Sequence, residues 1–214
     1  MFAPATQRNR DPILEVLRRH LPTAGAVLEL ASGTGEHCAW FAAGLPELVF
    51  QPSDPDRAHR ASIAAWSAAD GLSNVRPPLA LDTRKPDWEA HEDIPRPLAA
   101  ILCINMIHIS AWPSALGLMR GAAGLLGAGG VLFLYGPYKR DGRHTAPSND
   151  AFDQSLRAMN PEWGVRDVEA VVAAAGDRGF ALREAVEMPA NNLSVVFRRR
   201  LLEDTIRPPT GDEP

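Results

Sequence analysis

The chain has 214 residues, 45% of them hydrophobic, two cysteines, and 26 acids against 22 bases for a net charge of −4. At roughly 100–200 residues per domain this length predicts one domain, over residues 1–200, with one well-buried core. The missing basic block argues against a nucleic-acid partner; Cys38 and Cys103 lie in apolar stretches that suit reduced thiols in a cytoplasmic protein; and no apolar run reaches the roughly 20 residues of a membrane span.

Asp11-Pro12 reads as a cap and first-turn proline ahead of Ile13, Leu14, Leu17 and Leu21, whose spacing fits one helical face. Residues 26–31 read as a strand, followed by a glycine turn and a helix from Glu36 to about Leu45. A second strand is predicted over 48–51. Asp54-Pro55 then signals another helix, running to Asp70 and stopping at Gly71. A weaker third strand is expected over 75–81, interrupted by Pro77 and Pro78.

Residues 98–105 are apolar at nearly every position, as a strand covered on both faces should be. A helix is predicted over 114–126, a strand over 131–136, a polar loop over 137–147, and helices over 149–159 and 167–177. Two last strands, 181–187 and 193–199, are joined by a hairpin turn at 189–192. This alternation predicts an α/β, Rossmann-like, doubly wound sheet of seven strands, mostly parallel with an antiparallel C-terminal hairpin. The acidic, proline-rich tail after residue 200 reads as disordered.

In an open parallel sheet, ligands bind beyond the carboxyl ends of the strands, where the stretch Val27-Leu28-Glu29-Leu30-Ala31-Ser32-Gly33-Thr34-Gly35 arrives. Gly33 and Gly35 carry no Cβ, so a ligand can lie against backbone N–H groups at the start of the next helix. Dinucleotides and S-adenosylmethionine both use such turns. The dinucleotide fingerprint needs a third glycine, but Cys38 follows Glu36-His37 here, and Glu36 would repel a pyrophosphate. A cationic sulfonium fits better.

The stretch resembles the first motif of class I S-adenosylmethionine-dependent methyltransferases, with Glu29, Gly33 and Gly35 in register and Ala31 where that pattern has its first glycine. The resemblance implies that Asp54, ending the second strand, binds the ribose; that Asp82 lies beside the adenine; and that Asn105-Met106-Ile107-His108 is the segment following the fourth strand. Arg8-Asn9, residues 163–167 and Met188-Pro189-Ala190-Asn191-Asn192 are similar to an uncharacterised methyltransferase-like family found in bacteria and animals. The class I resemblance implies Glu29, Ala31, Gly33, Gly35, Asp54, Asp82 and Asn105 as cofactor contacts.

His108 invites a general-base reading, against a buried structural histidine. Tyr135 and Tyr138 flank Gly136-Pro137 on the ligand edge, Tyr138 as a catalytic candidate and Tyr135 as a substrate contact, against ordinary aromatic packing. Arg8, Asn9 and Asn191 are further substrate candidates. Asp54 and Asp82 also have plain readings as helix caps. The six histidines show no zinc spacing, so no metal is expected. The reading is methyl transfer from S-adenosylmethionine to a small-molecule acceptor. Its competitors are a non-catalytic protein that binds S-adenosylmethionine to regulate or scaffold a partner, and a nicotinamide-dependent oxidoreductase. Oligomeric state has no signature in the sequence.

Overall fold

The computed structural model describes residues 1, 2, 4 and 6–201; the tail read as disordered lies, but for Leu201, outside the described residues. In chain order come α1 (Thr6–His20), β1 (Gly25–Leu30), α2 (Glu36–Gly44), β2 (Leu48–Pro52), α3 (Arg57–Ala69), β3 (Leu98–Ile104), α4 (Trp112–Leu125) and β4 (Leu126–Arg140). Then follow β5 (Arg143–His144), α5 (Pro147–Met159), β6 (Arg166–Asp167), α6 (Val168–Gly176), β7 (Phe180–Met188) and β8 (Asn192–Arg199). The sheet order is β2-β1-β3-β4-β8-β7, with β5 and β6 also pairing with β4. The β2, β1, β3 and β4 neighbours are parallel, and β8 runs antiparallel to both β4 and β7. This is the predicted doubly wound α/β architecture, with eight strands where seven were expected, since the short β5 and β6 are added and the expected strand over 75–81 does not form.

Side chains alternate across each strand, and the two faces bury different helices. Leu28, Ile101, Leu132 and Val195 face one side, packing with Leu118, Met119 and Val171 of α4 and α6. Val27, Leu102, Phe133 and Val196 face the other, packing with Ile13, Leu17 and Phe41 of α1 and α2. Each large apolar side chain buried in this way contributes roughly 1.5–3 kcal/mol.

Four elements differ from expectation. Helix α1 starts at Thr6, so Pro12 lies inside it rather than at its first turn. Thr6, Asn9, Ile13 and Val16 form one buried stripe, and this tertiary contact carries the helix past the missing N–H of Pro12. Asp56, not Asp54, caps α3, accepting from the Ala58 and His59 amides. The third expected strand shrinks to isolated parallel bridges, Phe50 with Val75 and Ser53 with Leu79. Pro77 and Pro78 between them have no N–H to donate. Finally, the expected polar loop after residue 136 is largely strand: β4 runs on to Arg140 and turns through Asp141-Gly142 into β5.

Candidate functional site

The turn after β1 is built from left-handed residues: Ala31 at φ 54°, Gly33 at 56° and Gly35 at 87°. Glycine adopts this region freely, whereas Ala31 does so at a cost of about 1 kcal/mol. The two glycines differ in surroundings. A Cβ on Gly35 would stand 2.6 Å from the Ile63 Cα, so this glycine lets α2 approach α3; a Cβ on Gly33 would meet nothing within 4 Å. The space beside Gly33 is open.

Asp54 ties this turn to the next helix. Its Oδ2 accepts from the Gly33 N–H at 3.0 Å. Its Oδ1 accepts from the Asp56 N–H at 2.9 Å and lies 3.1 Å from His59 Nδ1. A carboxylate offers about four lone-pair positions, so these three partners leave Oδ2 free to accept once more. Ser32 and Ser53 stitch the ends of β1 and β2 together: the Ser32 N–H donates to the Ser53 carbonyl at 2.9 Å, and the Ser53 hydroxyl to the Glu29 carbonyl at 2.8 Å.

Beside this frame opens a cleft of about 400 Å³. Leu30 and Ala31 at the end of β1 line it, together with Asp54 and His59 and with Asp82 and Arg84. Met106, Ile109 and Ser114 supply the wall after β3, and Trp163 closes the far end. Asp82 does not cap a helix. It accepts from the Arg84 amide at 3.0 Å and holds the Arg84 guanidinium at 2.8 Å, which keeps its carboxyl below the ordinary value despite partial burial. The wall carrying Trp163 is fastened by Arg166, whose guanidinium donates to the Ile107 carbonyl at 3.0 Å and the Ser110 carbonyl at 2.7 Å.

The remaining expected site residues fall in three groups. Glu29 lies beneath the turn, 2% exposed, with Oε2 unpartnered. Burial pushes its pKa up to about 7, with Ser32 and Cys38 pulling the other way and the Asp54 charge adding to the rise. Asn105 ends β3 in the left-handed region at φ 62°, its N–H donating to the Tyr135 carbonyl at 2.8 Å. It shapes the bend that delivers Met106 to the cleft.

His108 and Tyr138 form a second group, on the α4–α6 side of the sheet and away from the cleft lining. Both are fully buried, packed edge to face with ring centroids 5.0 Å apart. His108 Nδ1 accepts weakly from the Arg166 N–H at 3.4 Å, and Nε2 faces the bare Cα of Gly136, where a Cβ would stand 2.4 Å away. Burial, with the charge of Arg166, takes the His108 pKa down to about 3, and burial raises the Tyr138 phenol well above its ordinary value. The imidazole is thus neutral and enclosed.

Tyr135 and Asn9 lie on the opposite, α1 side of the sheet, and Asn191 stands in the turn between β7 and β8. Tyr135 belongs to the core beneath α1. Asn9 reaches His37, with Oδ1 2.9 Å from Nε2. The Asn191 carbonyl accepts from Asn149 Nδ2 at 2.9 Å. Arg8 is exposed on α1. Sequence reasoning missed His59, Arg84 and Arg166; only the spacing of His59, five residues after Asp54, hinted at a pair. Among the described residues no group of acids, histidines and cysteines could hold a metal, and no helix is long and apolar enough to cross a membrane.

The model of a protein family of unknown function, DUF938, matches residues 1–199. Among solved structures, an O-methyltransferase family protein from Burkholderia thailandensis is similar with a TM-score of 0.74 at 18% identity, over 89% of this chain and 56% of that one. The S-adenosylmethionine-dependent methyltransferase SibL is similar with a TM-score of 0.74 at 19% identity, over 92% and 56%. An O-methyltransferase family 2 protein from Planctomyces limnophilus, in complex with apigenin, gives 0.72 at 17%, over 91% and 57%. The chain therefore spans little more than half the length of these structures, and at such identity the likeness establishes the fold.

Proposed function

The chain belongs to the DUF938 family, and we propose that it binds S-adenosylmethionine in the cleft after β1 and β2 and transfers the methyl group to a small-molecule acceptor. The observation that carries this reading is the charge of the cleft wall. Asp54, Asp56, Asp82 and Glu162 face it against His59 and Arg84, with Arg84 paired to Asp82 and His59 to Asp54, so that acids outnumber bases on the wall. An acidic wall attracts a ligand bearing a sulfonium and an ammonium, and it repels the pyrophosphate of a dinucleotide. The volume lies within the range of small-molecule sites. Similar solved structures named as methyltransferases, one of them with apigenin bound, support both the cofactor and the acceptor class.

In this reading Asp54 Oδ2 accepts from the ribose, and Asp82 sits at the adenine end. Ala31 and Gly33 let the ligand lie against the backbone. Asn105 sets the bend of the wall. When bound, S-adenosylmethionine would supply an activated methyl group, transferred to an acceptor lone pair with S-adenosylhomocysteine as the leaving group and the acceptor's proton passing to solvent. The protein's part is alignment and exclusion of water, which such a displacement needs more than an obligatory base. His108 and Tyr138 serve by supporting, from behind, the segment after β3 that lines the cleft. Asn9, Tyr135 and Asn191 contact the acceptor, with Arg8 at the rim.

Calorimetric titration tests the reading. S-adenosylmethionine and S-adenosylhomocysteine are expected to bind with Kd on the order of micromolar, and NADH not at all. Asp54→Ala is expected to weaken binding at least about tenfold, a loss of one charge-assisted hydrogen bond. Binding of NADH alone, or unchanged affinity in Asp54→Ala, would overturn the assignment.

A further inference from the structure

Across the sheet edge from the cleft, four elements bring together a second polar cluster. Tyr135 and Ser194 are cross-strand partners in the β4–β8 ladder, so their side chains stand side by side on the face under α1. They are 1% and 0% exposed, and neither hydroxyl makes a hydrogen bond of ordinary geometry. The amides of Asn9, from α1, and Asn192, from the start of β8, both face the Tyr135 phenol. His37, from α2, completes the ring through Asn9.

The adjoining turn is strained. Ala190 and Asn191 both stand at φ 58°, a left-handed pair with no glycine. The turn is held there by Asn149, donating to the Asn191 carbonyl at 2.9 Å, and by Asn192, donating to the Pro189 carbonyl at 3.1 Å. Buried hydroxyls lacking good partners are costly, and strain of this kind collects at ligand clamps.

We propose that this cluster recognises the polar group of the methyl acceptor, and that it takes an uncharged hydrogen-bonding group, a carboxamide or hydroxyl, in preference to a carboxylate or an amine. The word acceptor rests on the cofactor reading above; the site itself does not. The groups that form it are hydroxyls, amides and one imidazole. His37 is neutral because burial, with the nearby charge of Arg10, lowers its pKa to about 4. The Arg10 guanidinium lies over the Trp40 ring, 3.7 Å from its centre. Neutral donors and acceptors satisfy a neutral group fully, while a buried charge would find no countercharge among them.

Acetamide and acetate are a matched pair of probes, equal in shape and different in charge. In NMR titrations of ¹⁵N-labelled protein, acetamide is expected to shift the side-chain amide signals of Asn9 and Asn192 several times more than acetate at equal concentration. Ser194→Ala and Tyr135→Phe, each with wild-type backbone dispersion, are expected to lose that response. Equal shifts from acetate, a response that survives both substitutions, or no response at all would overturn the proposal. S-adenosylhomocysteine is titrated into separate samples. Failure there with the acetamide response intact would remove the cofactor reading and leave the neutral-group site standing.

Discussion

At Gly35 an added Cβ would press on the Ile63 backbone at 2.6 Å, whereas at Gly33 the same atom would enter open space. Gly35→Ala is therefore expected to cost about 2–4 kcal/mol, combining overpacking with a left-handed alanine, and Gly33→Ala only about 1 kcal/mol. Binding should invert that order among folded protein, with Gly33→Ala the more damaging to S-adenosylhomocysteine affinity. Urea unfolding beside calorimetry reads both, and equal stability losses would refute the division of labour. Glu29 makes a pH prediction. Its folded pKa is about 7 against the ordinary 4.5, so the folded protein keeps a proton that the unfolded chain releases across that window, and stability falls as pH rises through it. Glu29→Gln is expected to be more stable than wild type by at most about 3 kcal/mol near pH 8, with the gap closing near pH 4. A gap independent of pH in urea unfolding would refute the buried-carboxyl account. The glycines and acids were visible as residue types; their separate roles depend on Ile63 and Ser53, which come from other elements.

Helix α5 carries a fixed point for the wall of the cleft. Asp153, 5% exposed, accepts from the Val165 N–H at 2.7 Å and from Arg157 Nε at 3.2 Å, with Lys139 Nζ at 3.2 Å and His144 Nε2 at 3.4 Å. Burial alone would raise this carboxyl, but the Val165 amide, Arg157 and Lys139 hold it below its ordinary value. One side chain thus joins α5, the β4–β5 hairpin and the segment leading to Trp163. Asp153→Ala is expected to cost about 3–5 kcal/mol, since Lys139 and His144 lose their buried counterion. Faster hydrogen exchange over 163–166, with β1 and β3 unchanged, would locate the damage; a loss below about 1 kcal/mol would show the node to be ornamental. The helices and buried strands were legible from apolar periodicity and caps. The hairpin was not: Lys139, Arg140, Asp141, Gly142 and Arg143 read as polar loop, and only pairing with β6 and α5 gives them structure. The edge segment failed for the opposite reason, because two prolines removed the donors that its apolar pattern promised.

On the scale of the molecule, the sheet separates two apolar cores, one under α1 and α2 and one under α4 and α6. Its carboxyl edge accordingly presents two chemistries, an acidic cleft on one side and a neutral polar cluster on the other. The sequence by itself determined the architecture, because strand and helix periods, glycine turns and capping signals are local in the chain and repeat often enough to specify a doubly wound sheet. It also marked the turn after β1, since a strand running into closely spaced glycines has few other uses. Only the tertiary structure decided which candidates share a site. Tyr135 and Tyr138, three residues apart on β4, fall on opposite faces, and His108 is enclosed rather than exposed to a ligand. Asn9, His37, Tyr135, Asn192 and Ser194 span most of the chain and meet only because α1 closes over β4 and β8. Such proximity is fixed by packing between distant elements, and no local pattern in the chain encodes it.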